Sequence, residues 1–355
     1  MSSDHDAFTA AGGWRAVLGA LADHHELTAA QAEGAIAEIL EGRATDGQIG
    51  AFLVGLRTRG ATPAEIAAMV DAMLAHAMPL DLDDSDGVVD LVGTGGSRLR
   101  QDRAFNISTT ACFVVAGAGV RVCKHGNRRA SSSSGSSDVL EALGIAIELD
   151  GPATARCVEE AGVGFAFARA FHPAMRHAGP VRVELGIPTV FNLLGPLSHP
   201  GRVNRQVIGV ADAETAPLVA EVLARRGSPR AMVVHGSDGL DELTLSGPST
   251  IHEVRDGAVE VREVHPSDVG LHAVKVEDLG VGAPEENAAV LREILAGGGG
   301  PRREVVELNA AAGLVVAGAA EDLEAGLTLA RESIESGAAQ ERLERLIDVS
   351  NRGVH

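Results

Sequence analysis

The 355 residues hold 30 Lys and Arg against 49 Asp and Glu, a net charge of −19 with neutral His, spread along the chain without a basic arm. That balance argues against a polyanion-binding role, which needs a concentrated cationic face, and 3% aromatics with no Tyr leave few rings for stacking single-stranded nucleic acid. Apolar residues at 45% and charged residues at 22% exclude disorder as a description of the whole, in a chain long enough for one large or two ordinary domains.

Met1 to Phe8 are small and polar and are expected to fray. The first thirty residues lack a basic-then-apolar signal pattern, and no stretch approaches the roughly 20 apolar residues that span a bilayer, so a cytoplasmic location is expected. Thr28-x-x-Gln31, Thr45-x-x-Gln48 and Thr62-Pro63-x-Glu65 each fit a capping box, in which the Thr hydroxyl and the third-position side chain satisfy orphan amides. Behind them Ile36, Ile39 and Leu40, then Ile49, Phe52, Leu53 and Leu56, then Ile66, Met69, Val70 and Met73 recur at helical spacing. The first 85 residues thus predict a small helical module.

After the acidic linker Asp81 to Asp86 the periodicity changes. Val88–Val92, Val120–Cys123, Gln206–Val210, Ala231–Val234 and Val305–Leu308 read as short buried strands. They alternate with helical runs at Thr110–Ala118, Val139–Leu143, Ala216–Arg225 and Leu323–Ser336. Such alternation predicts an α/β body with a central, mostly parallel sheet. Pro248–Glu263 reads as an added antiparallel hairpin, and Gly297–Gly300 as a surface loop. Cys112, Cys123 and Cys157 form no C-x-x-C pair and fit as reduced core residues.

Three turns at predicted strand-to-helix junctions carry the chemistry. In Asp90-Leu91-Val92-Gly93-Thr94-Gly95-Gly96 the glycines let backbone approach an anion, and Asn106, Ser108 and Thr109 follow at a helix N-terminus whose free amides attract negative charge. A tight strand–helix bend is the alternative for this turn alone. In the segment from Lys124 to Ser136, Lys124, Arg128 and a run of serines offer donors to phosphate oxygens. A flexible serine linker is the alternative there. Its place between a strand and a helix favours a phosphate-binding loop. In His235-Gly236-Ser237-Asp238-Gly239-Leu240-Asp241-Glu242 the adjacent acids are hard-oxygen ligands suited to Mg²⁺, or else a solvated acidic turn.

Taken together, these blocks resemble the anthranilate phosphoribosyltransferase family, whose fold is shared with pyrimidine nucleoside phosphorylases. The likeness runs from about Leu27 to Arg352. It is most specific in Lys124–Gly144, in Phe171-His172-Pro173-Ala174-Met175-Arg176-His177 running into Val181-Arg182, in Phe191-Asn192-Leu193-Leu194-Gly195-Pro196-Leu197, and in His235–Glu242 with Asn309-Ala310-Ala311. The resemblance implies a helical domain, residues 1–85 joined by helices from about 170–200, and an α/β domain, residues 86–355. It implies a homodimer formed through the helical domain. It implies that 5-phosphoribosyl-1-diphosphate is held by Gly93, Thr94, Gly95, Gly96, Asn106, Ser108, Thr109, Lys124 and Ser136. Mg²⁺ would sit on Ser108, Asp241 and Glu242, and anthranilate on Asn127, His172, Arg182, Gly195 and Pro196. Lys124 would stabilise the leaving diphosphate, and no general base is assigned.

One loop departs from the family. Ser97 stands where an Asp is usual and Ala104 where a Thr is usual, and the segment between them is about three residues longer and carries Arg98, Arg100 and Arg103. Three other readings stay open at this point. These are transfer to another aromatic acid, nucleoside phosphorolysis on the same architecture, and a non-catalytic paralogue that binds nucleic acid or a regulatory ligand.

Overall fold

A computed structural model describes residues 3–95, 105–128 and 135–352. All three predicted capping boxes form. The Thr28, Thr45 and Thr62 side chains accept from the third amide of the helices Ala29–Leu40, Asp46–Arg59 and Pro63–Ala75, and Gln31, Gln48 and Glu65 return the bond. Before them the chain is helical at Ser3–Ala10 and Gly13–Ala22, where fraying was expected through Phe8. Phe8 supplies the reason: it is 3% exposed, its ring lies 5.6 Å from that of Trp14, and it fills space that any side chain at Gly34 would occupy. Burying one aromatic ring outweighs the polarity of its neighbours.

The α/β body is built on seven strands. They are β1 (Val88–Gly93), β2 (Arg121–Gly126), β3 (Val163–Phe167), β4 (Arg205–Gly209), β5 (Arg230–Gly236), β6 (Ser249–Arg255) and β7 (Ala258–Val264). The spatial order is β3-β2-β1-β4-β5-β6-β7, parallel from β3 through β5 and antiparallel across the β5–β6 and β6–β7 pairs. The final pair is the predicted hairpin. Side chains of β1 alternate between faces: Val89 and Leu91 join the core under the helices Ile107–Gly117 and Pro301–Ala317, whereas Val92 joins Ile208, Val233 and the helix Ala216–Arg225. That second core continues into the helical module through Phe52, Met69 and Val70, and takes in Val181, Phe191 and Leu194. The chain therefore folds as an N-terminal helical bundle and a larger α/β body with a mostly parallel sheet.

Two expectations need correction. Val305–Leu308 is not a strand but lies inside the helix Pro301–Ala317, which is buried on every side from Val305 to Val316. A short apolar run in a helix that is buried all round has the same appearance as a central strand. The turn bearing Asp241 and Glu242 leads not into a helix but into β6. No helix among the described residues is long and apolar enough to cross a membrane.

Candidate active site

Strand order reverses at β1, with β2 on one side and β4 on the other, so a crevice opens beyond the carboxyl ends of β1 and β4. Described residues of the predicted turns meet there. Gly93 ends β1 in register with Gly209 of β4. Beyond it Thr94 donates its N–H to Gly209 O at 2.8 Å, and Gly95 donates to Asp241 Oδ2 at 3.1 Å. Thus the glycine turn and the acidic turn, 146 positions apart in sequence, are joined by one hydrogen bond. Asp241 and Glu242 are 1% and 5% exposed.

Space for that turn exists because two side chains are missing. A Cβ at Gly93 would overlap Asp241 Oδ2, and one at Gly209 would overlap the Asp241 carbonyl oxygen and stand 2.5 Å from its carbonyl carbon. Asn309 then clamps the turn from below. Its Oδ1 accepts Leu243 N–H at 3.0 Å, while its Nδ2 donates to Leu243 O and Val305 O, each at 2.9 Å. Replacing Asn309 by Leu is expected to destabilise the fold by about 2–4 kcal/mol, because both Leu243 backbone groups lose their buried partner. A denaturation midpoint equal to that of the unaltered chain would contradict this.

Lys124 lies on β2, which extends three residues past its predicted end. It is 5% exposed, and its Nζ donates to Leu91 O and, at 3.2 Å, to Ser108 Oγ. Ser108 and Thr109 occupy the first turn of the helix Ile107–Gly117, with Asn106 at its N-cap position. Asn106 N–H donates to Asn287 Oδ1 at 3.2 Å. Ser136 opens the helix Ser136–Ala142 and packs over Gly126. Arg128 departs from its expected role as a phosphate donor: it pairs with Asp138 at 3.1 Å and Glu141 at 2.5 Å and lies over the Phe167 ring. Gly96, the segment Ser97–Ala104 and the serines Ser131 to Ser134 lie outside the described residues.

The candidate acceptor residues lie just past β2 and on the segments that follow β3. Gly195 and Pro196 sit in the helix Val190–Leu197, and Arg182 in the helix Gly179–Leu185. Arg182 lies over the Phe191 ring at 5.4 Å, and burial lowers its guanidinium pKa below the ordinary value. It pairs with no described carboxylate. Asn127, at the end of β2, is exposed and accepts Arg128 N–H on its Oδ1.

His172 meets His125 and His199 in a buried cluster, with ring centres 5.3 Å and 5.6 Å from that of His125. His172 Nε2 donates to Ser198 O at 3.0 Å, and His199 Nε2 to Cys123 O at 2.9 Å, since a carbonyl can only accept. Burial draws His172 and His199 down to about 4. Burial and then the two neighbouring imidazoles hold His125 well below its ordinary value. All three are neutral at neutral pH. The unfolded chain takes up these protons below about pH 6.5 and the folded one does not. Their stabilisation is therefore complete above that pH and is lost as pH falls toward 4, at up to about 1.4 kcal/mol per pH unit per imidazole. Asp90, raised by burial to about 7 against the pull of Lys124, acts in the opposite sense and offsets one of the three. We expect a lower melting temperature at pH 5 than at pH 7, and a smaller difference in His199→Gln. Equal melting temperatures at the two pH values would refute the linkage.

The α/β domain of the glycosyl transferase family matches residues 85–340, and the helical bundle domain of that family matches residues 15–77. A relative from Thermomicrobium roseum, named anthranilate phosphoribosyltransferase, is 54% identical over 90% of this chain and 92% of its own. The chain belongs to the anthranilate phosphoribosyltransferase family. It is an enzyme of the glycosyltransferase class. The crystal structure of the Thermus thermophilus family member superposes with a TM-score of 0.89 at 42% identity, covering 94% of this chain and 99% of that one. The Saccharomyces cerevisiae member, solved with 5-phosphoribosyl-1-diphosphate and Mg, gives 0.81 at 31% identity, covering 91% and 92%.

Sequence reasoning left several residues of this site without a role. Gly209, Asn287 and Gln206 stand in apolar or helical runs where nothing marks them. Asp90 reads as the start of a glycine turn, although it is fully buried beneath it.

Proposed function

We propose that this chain is a cytoplasmic enzyme of tryptophan biosynthesis that transfers the 5-phosphoribosyl group from 5-phosphoribosyl-1-diphosphate to the amine of anthranilate, releasing diphosphate. The observation that carries the reading is the joint of the glycine turn, the acidic turn and Lys124 at the β1–β4 switch point. The cleft lies between the helical module, residues 1–85 with 170–200, and the α/β body, residues 86–355. Three buried free thiols, all raised above the ordinary cysteine pKa by burial, suit a reducing compartment.

The donor lies along Gly93, Thr94, Gly95, Gly96, Asn106, Ser108, Thr109, Lys124 and Ser136. Ser108, Asp241 and Glu242 would hold Mg²⁺. Their hard oxygens suit it, and two carboxylates with one hydroxyl leave positions for substrate phosphate oxygens, as Mg²⁺ prefers. When bound, the ion neutralises charge on the diphosphate.

Breaking the anomeric C–O bond leaves positive charge on the ribose and negative charge on the departing diphosphate. The Lys124 ammonium and the amides at the Ile107–Gly117 N-terminus favour that separation. Anthranilate's amine is already neutral at pH 7 and needs little base catalysis: its nitrogen bonds the anomeric carbon as the C–O bond breaks, and its surplus proton passes to the departing diphosphate or to water, so the acceptor wall has mainly to position it. Arg182 grips the carboxylate through two N–H donors, and His172, Asn127, Gly195 and Pro196 line the ring.

The direct test is loss of anthranilate fluorescence on incubation with 5-phosphoribosyl-1-diphosphate and Mg²⁺; a chain inactive in this assay would refute the reading. Arg182→Ala should cost acceptor use about 2–5 kcal/mol and leave donor binding nearly unchanged. Equal losses toward both substrates would place Arg182 elsewhere.

A homodimer formed through the helical module completes the proposal. Val54, Val183 and Ile187 are 40%, 79% and 42% exposed. Arg57, on the helix of Val54, donates to Pro188 O, beside Ile187. An apolar surface of this kind suits a second copy. Sedimentation as a monomer at micromolar concentration would refute it.

A further inference from the structure

Between the acceptor wall and the donor lysine runs a buried polar seam that the reaction scheme above leaves without a function. Gln206, the second residue of β4, is 3% exposed and stands among Val207 and Ile208 in the interior of a parallel sheet. Strands covered on both faces are ordinarily apolar, and a buried amide is costly unless it is bonded. The Gln206 amide is bonded in two directions. Its Nε2 donates to Pro196 O at 2.9 Å and to Asp90 Oδ2 at 3.3 Å.

Each partner belongs to a different substrate's machinery. Pro196 O is a carbonyl in the last turn of the helix Val190–Leu197, where no amide of the helix remains to pair with it. That turn presents Gly195 and Pro196 to the acceptor. Asp90 sits beneath the glycine turn of β1, and its Oδ1 accepts His125 N–H at 3.1 Å, from the residue that follows Lys124. Asp90 is also close enough to Lys124 to feel its charge. One side chain on a central strand therefore fixes the acceptor turn against the strands that hold the donor lysine.

We propose that Gln206 is a positioning residue for the acceptor: it holds the Gly195–Pro196 turn at a set distance from Lys124, so that the aromatic amine meets the anomeric carbon in attacking range. The inference rests on the acceptor assignment made above. A displaced turn would cost acceptor affinity and orientation, while Lys124 keeps its bonds to Leu91 O and Ser108 Oγ and Asp90 keeps the His125 N–H, so donor binding changes far less.

The test uses Gln206→Met, which keeps the volume and removes the donor, and Gln206→Leu, which removes the donor with a shorter apolar side chain. Steady-state kinetics with each substrate varied would be paired with calorimetric titration of 5-phosphoribosyl-1-diphosphate alone and with melting curves. In both variants KM for anthranilate should rise about tenfold or more, as for loss of a buried hydrogen bond, with donor Kd changed by less than about twofold. A variant that melts lower yet keeps both constants, or one that loses both substrates by the same factor, overturns the inference. If the unaltered chain consumes no anthranilate, the underlying functional reading has failed. If it does consume anthranilate and the variants keep their acceptor KM, only the role of Gln206 has failed.

Discussion

Asp241→Asn, and likewise Glu242→Gln, should lower turnover by at least about a hundredfold, which corresponds to some 2.7 kcal/mol of lost charge stabilisation in the transition state. Asn at 241 keeps the size of the side chain, and its oxygen can still accept the Gly95 N–H that now reaches Asp241 Oδ2 at 3.1 Å. The turn should therefore keep its shape, and melting temperature should barely move. What is lost is negative charge in a place that is 1% exposed, where water cannot substitute for it. The expected signature is a raised Mg²⁺ requirement with a normal melting curve. Full turnover in excess EDTA, or a variant as active as the parent chain, would remove the acidic pair from the chemistry.

The sequence made the elements around this site legible to different degrees. The three capping boxes could be read because each depends on two residues three positions apart, and local hydrogen bonding decides them. Lys124 and the Asp241-Glu242 pair could be singled out in sequence as candidates because charged groups at strand ends have few structural uses, and Ser108 because a hydroxyl opens a predicted helix. Their convergence was not legible, since it depends on strand order, and nothing local says that β4 rather than β2 lies on the acidic side of β1. Arg128 shows the converse error. Its position in a serine-rich loop suggested a phosphate ligand, while the acids that claim it, Asp138 and Glu141, lie one helical turn apart on the following helix. The Val305–Leu308 misreading has the same root, because periodicity vanishes when an element is covered on all sides.

Gly209 is the residue least visible in sequence and among the most constrained in the fold. Neither it nor Gly93 has a positive φ, so conformational freedom does not explain either glycine; space does. The two face the acidic turn from paired positions of β4 and β1, yet what a methyl group would strike differs. At Gly93 it would strike the Asp241 carboxylate, which can swing aside by breaking its bond to Gly95 N–H. At Gly209 it would strike the Asp241 backbone carbonyl, in a turn that Asn309 already clamps through Leu243. That carbonyl cannot rotate away alone, and Gly209 O is itself held by Thr94 N–H at 2.8 Å. Gly209→Ala must therefore move the whole acidic turn or part the β1–β4 ladder. A shift of about 1 Å at a reacting centre costs on the order of a hundredfold in rate, and overpacking adds about 1–3 kcal/mol of destabilisation. We expect Gly209→Ala to lose at least about a hundredfold in kcat and to melt lower, and Gly93→Ala to lose about tenfold with melting nearly unchanged. Measuring kcat and melting temperature for both variants decides the matter. If Gly93→Ala proves the more damaging, the carboxylate's orientation, and not the position of the turn's backbone, is what the two glycines protect.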